Sequence, residues 1–127
     1  MKIILGDIIV RYMSEEKKEI IWELQREVSV QLSNKRFLEI PKGFVTDFAS
    51  VPKIFWSAIA PIGHYNLASL IHDYHYTYHT TTRKFADKEF LMWLNFLTPK
   101  KKIRNKIMYI AIRLFGSKRW AYYGNGI

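Results

Sequence analysis

Leu70-Ile71-His72-Asp73-Tyr74-His75-Tyr76, followed after a polar break by Ala86-Asp87-Lys88-Glu89-Phe90, decides how this chain is read. Around the first segment Leu67, Leu70, Ile71 and Tyr74 fall at helical spacing, with Asn66 as the expected N-cap. Beyond Thr80-Thr81-Thr82, the residues Phe85, Phe90, Leu94 and Leu97 mark a second helix. Two antiparallel helices joined by so short a break present an imidazole and two carboxylates to each other. His72 and Tyr76 are four residues apart and share a face, while Asp73 lies about 100° round the helix from His72.

Residues 1–45 read mainly as strands. Ile3-Ile4-Leu5 and Ile8-Ile9-Val10 are apolar runs either side of Gly6-Asp7, a turn or bulge signal. Glu15 to Glu19 fits a short helix or a charged hairpin tip. Trp22, Leu24, Val28, Val30 and Leu32 occupy even positions with polar residues between them, the pattern of an antiparallel strand with one wet face. Ser33-Asn34-Lys35 is a turn, and Arg36 to Ile40 returns as a strand. After Pro41-Lys42-Gly43 an extended segment runs from Phe44 into a loop at Pro52. Downstream of Pro99, Ile103, Ile107, Ile110, Ala111 and Leu114 form the apolar stripe of a third helix, stopped at Gly116. The residues 117–127 read as an aromatic tail. The expected fold class is α+β, a small N-terminal antiparallel sheet followed by three packed helices, in a single domain covering 1–127.

Composition narrows the chemistry. Apolar residues make up 49% of the chain, with 8 Phe, 8 Tyr and 4 Trp, which places it among globular proteins. The absence of Cys removes disulfides, a thiol nucleophile and thiolate zinc sites together. No apolar stretch approaches the roughly 18–20 residues of a membrane span, and no secretory signal is expected at the start. The expected location is a cytoplasm, with later packaging into a particle left open. The net charge of +9 is unevenly placed: from Pro99 to Ile127 there are eight Lys and Arg and no acidic residue. Lys102, Lys106, Arg113, Lys118 and Arg119 are therefore candidates for a basic surface facing nucleic acid, an anionic membrane or an acidic protein. A plain solvated face is the alternative.

An imidazole general base needs one ring nitrogen for the nucleophile and the other held by an acceptor that fixes its tautomer. His72 is the candidate base and Asp87 the carboxylate to hold it. Asp73 could instead bind a metal ion with backbone carbonyls of the preceding loop, and three of His72, Asp73, His75, Asp87 and Asp47 could hold a divalent metal such as zinc or manganese. None of the established zinc spacings is present; His72 and His75 alone, three apart, are a weak pair. Asp47 and Ser50 can equally close a turn or cap a short helix, and Ser50 lacks the G-x-S-x-G setting of a nucleophile. A His-Asp pair that merely fixes two helices is the competing reading of the whole cluster.

Two resemblances add to this. Gly43-Phe44-Val45-Thr46-Asp47-Phe48-Ala49-Ser50-Val51-Pro52, Ile71-His72-Asp73-Tyr74-His75-Tyr76 and Ala86-Asp87-Lys88-Glu89-Phe90 resemble a family of uncharacterised proteins of tailed bacteriophages and prophages. That resemblance implies a phage origin and other phage proteins as partners. His72-Asp73-x-x-Tyr76 with Ala86-Asp87-x-x-Phe90 is similar to the helix pair of secreted and parvoviral phospholipases A2. It implies His72 as base, Asp87 as the carboxylate that orients it, Tyr76 bonded to Asp87, Asp73 as a calcium ligand and a lipid substrate. The glycine-rich calcium loop of those enzymes has no counterpart here, where the segment ahead of the His is Pro61-Ile62-Gly63-His64-Tyr65. The expected function is a phage-encoded hydrolase-like protein acting on an ester, phosphoester or cell-envelope bond. The alternative is a non-enzymatic virion structural or accessory protein that docks through its basic C-terminal region on DNA or another virion protein.

Overall fold

The computed structural model describes residues 1–6, 8–16, 19–46 and 65–125, without the side chains of 12–16, 19–21, 65, 66 and 122–125. The chain is α+β and divides into two compact units, Met1–Phe48 and Ala49–Ile127, where the sequence suggests one domain.

The first unit is built of six strands: β1 (Lys2–Leu5), β2 (Val10–Glu16), β3 (Glu19–Leu24), β4 (Val28–Gln31), β5 (Phe37–Ile40) and β6 (Val45–Thr46). They form two antiparallel three-stranded sheets, ordered β1-β4-β5 and β2-β3-β6, rather than one. β2 and β3 pair antiparallel as far as Glu16 opposite Glu19, at the charged segment where the sequence allows a short helix or a hairpin tip. The alternating run from Ile20 to Leu32 is not one strand. It breaks at 25–27, where the chain leaves one sheet and enters the other. Its even-numbered residues Leu24, Val28, Val30 and Leu32 are nonetheless buried, and Ser29 between them is buried as well, so β4 has no wet face. Lys35 takes a left-handed conformation (φ 68°) to close the turn into β5, its amide donating to the Leu32 carbonyl at 3.0 Å.

The second unit contains α1 (Tyr65–Tyr78), α2 (Arg83–Leu97), α3 (Lys102–Phe115) and α4 (Ser117–Asn125), with a 3-10 turn at Pro99–Lys101 leading into α3. α1 already includes Tyr65, so Asn66 lies inside the helix instead of capping it. His79 ends α1 in the left-handed region (φ 49°). Thr82 caps α2, its Oγ1 accepting from the Phe85 amide at 3.2 Å.

Two expectations are corrected in this unit. Residues 117–125 of the tail form a fourth helix: Gly116 stays in the right-handed region (φ −80°), so the chain resumes helical geometry at Ser117. The apolar stripe of α3 does not face the core. Asn105, Met108 and Ile112 are its buried residues, while Ile103, Ile107, Ile110 and Leu114 are exposed. Leu67, Ala68, Leu70 and Ile71 of α1 and Ala86, Phe90, Trp93 and Leu94 of α2 supply most of the remaining buried apolar surface.

Candidate active site

Helical spacing on α1 puts Ser69, His72 and Tyr76 on one face, with Asp73 about 100° round from His72. α2 contributes Asp87 one turn in from its start, and α3 contributes Arg113 from its last turn. These groups meet at the Asp87 carboxylate, which is fully buried. His72 Nε2 lies 2.7 Å from Oδ1, and the Tyr76 hydroxyl donates to the same oxygen at 2.6 Å. Arg113 Nη1 donates to Oδ2 at 2.7 Å, and Arg83 Nε stands 3.8 Å from that oxygen.

The electrostatics fix the proton on His72. Burial alone would push the Asp87 carboxyl up, but hydrogen bonds from His72, Tyr76 and Arg113 outweigh it and hold it below the usual carboxylate range. An ionised carboxylate only accepts hydrogen bonds, so the His72 proton that faces it is on Nε2. In the neutral ring the lone pair then falls on Nδ1. The ring sits between Tyr76 (centroids 4.2 Å apart) and Phe90 (4.9 Å). Burial first, then the bond to Asp87, raises the Tyr76 phenol, which remains a hydroxyl donor.

A second layer holds these groups in place. Arg83 Nε donates to the Tyr76 oxygen at 3.2 Å, and its Nη2 donates at 2.8 Å to both the Ile112 and the Arg113 carbonyls at the end of α3. One guanidinium thus caps a helix and braces the phenol. Gly116 is required where these meet. A Cβ there would run into the Ile112 carbonyl and come within 2.9 Å of the Tyr76 hydroxyl. His79 stacks on Trp120 of α4, 3.7 Å between ring centroids, and Tyr76 meets the same indole edge-on at 5.1 Å.

Two buried polar atoms beside His72 have no hydrogen-bond partner among the described residues: Ser69 Oγ and His75 Nε2. Each costs about 1–3 kcal/mol if left so, which marks places where water or a ligand has polar groups to meet. His75 Nδ1 is held at 2.5 Å by Thr80 Oγ1. Burial, with His72 nearby, pulls the His75 imidazole down to about 4, so it is neutral at pH 7.

Of the residues singled out by sequence, His72, Tyr76 and Asp87 come together directly. Asp73 is buried near them and pairs at 3.8 Å with Arg119 Nη2. Asp47, Ser50 and His64 lie outside the described residues. A calcium site does not fit the residues described. Asp73 is a lone carboxylate beside a guanidinium, and no group of three His, Asp or Glu suited to a metal occurs among the described residues. Arg113 and Arg119, assigned by sequence to the basic surface, turn inward onto Asp87 and Asp73; Lys102, Lys106 and Lys118 are exposed as expected. Ser69, Arg83 and the inward role of Arg113 were missed. Ser69 lies three residues before His72 on the same row, a spacing that could have marked it.

A family model described as "Protein of unknown function (DUF1353)" matches residues 22–112. The chain belongs to DUF1353. No curated protein and no solved structure matches it. The DUF1353 span includes Ser69, His72, Asp73, Tyr76, Arg83 and Asp87, and stops one residue short of Arg113. No helix among the described residues is long and apolar enough to cross a membrane.

Proposed function

We propose that this chain is a phage-encoded hydrolase-like protein in which His72 is the general base and Asp87 the carboxylate that orients it. The observation that carries the reading is the shared Asp87 oxygen, 2.7 Å from His72 Nε2 and 2.6 Å from the Tyr76 hydroxyl. Asp87 holds the Nε2–H tautomer and offsets the charge that the ring gains when Nδ1 takes a proton from water. Tyr76 keeps the carboxylate aimed, and Arg83 keeps Tyr76 aimed. The unpartnered Ser69 Oγ and His75 Nε2 supply further polar groups along the same helix. The electrophile is an ester, phosphoester or cell-envelope bond. No step runs through a metal, because the donors described do not make a site for one. The phage origin rests on the resemblance of the 43–52, 71–76 and 86–90 segments to phage proteins.

A second reading has its own support. Arg113 closes on the other Asp87 oxygen at 2.7 Å, and His72, Asp73 and Asp87 are all buried. Those are the features of a lock between α1, α2 and α3 in a non-enzymatic virion protein. Turnover of chromogenic carboxylic and phosphate esters, phospholipid and peptidoglycan by the wild-type chain and by His72→Asn separates the two. Turnover by the wild type that falls about 100-fold or more in His72→Asn, with thermal unfolding preserved, supports the base. No turnover of any of the four, or turnover that survives His72→Asn, leaves the lock.

A further inference from the structure

We propose that the outer face of α3 is a docking surface for an anionic lipid membrane. Ile103, Ile107, Ile110 and Leu114 recur at steps of four, three and four residues, which puts them in one stripe along three turns. Asn105, Met108 and Ile112 occupy the opposite, buried side. Ile103 is 82% exposed, Leu114 66%, and Phe115 at the helix end 79%. Exposing a run of aliphatic side chains this way is unusual for a surface that meets only water.

The charges around the stripe identify the occupant. Lys100, Lys101 and Lys102 are exposed at the N-terminal end, Lys106 on the flank, and Lys118 beyond the C-terminal end. No acidic residue occurs from Pro99 onward. An aliphatic stripe rimmed by lysines fits the boundary of a bilayer, where the apolar side chains enter among the acyl chains and the ammonium groups reach the phosphates. A second copy of the chain fits less well, because pairing the stripes would press two lysine rims together. A polynucleotide would satisfy the lysines and leave four aliphatic side chains without a partner. At 14 residues α3 is about 21 Å long, so it lies along the surface and does not cross it. This docking requires no chemistry at His72.

Sedimentation of the full chain with phosphatidylcholine vesicles and with mixed phosphatidylcholine–phosphatidylglycerol vesicles tests the assignment. The wild type should bind the mixed vesicles, and about tenfold less to phosphatidylcholine alone or at high salt. Ile107→Glu/Leu114→Glu should lose binding about tenfold or more, with its unfolding midpoint unchanged because both side chains are exposed. Lys102→Gln/Lys106→Gln should weaken it in proportion to the charge removed. Failure of the wild type to bind mixed vesicles overturns the proposal, as does binding undiminished in the Glu variant. A dimer that the Glu variant dissociates, without vesicle binding, assigns the face to a second copy. Binding to duplex DNA that ignores the Glu substitutions and replaces vesicle binding assigns the lysines to nucleic acid.

Discussion

Two buried polar clusters tie α3 into the helical unit, and they are built differently. Near the start of α3, Asn105 is fully buried; its Nδ2 donates to Asn95 Oδ1 at 3.0 Å and to Thr98 Oγ1 at 3.2 Å, and its Oδ1 accepts from Arg104 at 3.1 Å. That cluster contains amides, a hydroxyl and a guanidinium, with no group that exchanges a proton near neutral pH. Near the end of α3, Arg113 reaches Asp87, and the cluster there holds a carboxylate, an imidazole and a phenol. The Asn105 cluster is what a purely structural knot requires. The Asp87 cluster adds proton-carrying groups, which a knot does not need. That contrast is the physical reason for reading chemistry into one cluster and not the other.

The largest expected effect is at Asp87. Asp87→Ala removes the acceptor for His72, Tyr76 and Arg113 together, and should lower stability by about 3–5 kcal/mol in urea unfolding. Arg113 is about a third exposed and can turn to water, so the loss should fall toward the lower end of that range. A loss below about 1 kcal/mol would mean that the Asp87 cluster holds nothing together, and the contrast with Asn105 would collapse.

Next in size is the acid dependence. The folded His75 titrates at about 4, against about 6.5 in an unfolded chain. Between those values the unfolded state binds more protons, so stability falls as pH is lowered from about 6.5 to about 4, by about 3 kcal/mol in total. Below about 4 this contribution is constant. Asp87 then adds a loss in the same direction: its folded carboxyl titrates below the usual range, so the stability it provides disappears as pH falls through that lower value. Unfolding curves across this range should show the slope in the wild type and lose most of the His75 portion in His75→Asn. An equal slope in both variants would take His75 out of the account.

How much of this was legible follows from which signals are local. The meeting of His72 with Asp87 could be anticipated because helix periodicity fixes which residues share a face, and the short break at 80–82 forces the two helices together; the bond from Tyr76 to Asp87 is what the resemblance to the phospholipase A2 helix pair implies. Arg113 could not be placed, because its partner lies 26 residues away and on another helix. By composition it belongs to a positive segment, and only packing shows that this guanidinium is spent on a buried carboxylate. The stripe on α3 shows the reverse error. Periodicity correctly finds an apolar face but says nothing about what covers it, and the helix is held instead through Asn105, Met108, Ile112 and the arginine contacts. Gly116 read as a stop, yet its missing Cβ serves the close approach of Tyr76. The break of the long alternating segment at 25–27 was hidden because its buried side keeps the same parity from Leu24 to Leu32.

Asn105→Ala is the direct counterpart to Asp87→Ala. It takes a donor from Asn95 and an acceptor from Arg104, while Thr98 Oγ1 keeps the Leu94 carbonyl and Arg104, and it should cost about 1–3 kcal/mol. The pH dependence should run parallel to the wild type, because nothing in that cluster titrates in the range. Any turnover should persist in proportion to folded protein. A change in the pH profile of turnover would mean that the two clusters are coupled and that the separation drawn between them is wrong.

Tyr76→Phe should have the smallest effect on stability and is the sharpest test of role. The ring contacts with His72 and Trp120 are kept; only the hydroxyl is lost. Asp87 retains His72 and Arg113, and Arg83 retains both α3 carbonyls, so the cost should be about 1 kcal/mol. In a lock that is the whole consequence. In a base–carboxylate pair the hydroxyl also sets the angle at which Asp87 meets His72, so turnover should drop by more than the stability change accounts for, while the His72→Asn loss remains far larger. A Tyr76→Phe chain that is about 1 kcal/mol less stable and fully active would leave the phenol with the same status as Asn105, a structural tie and nothing more.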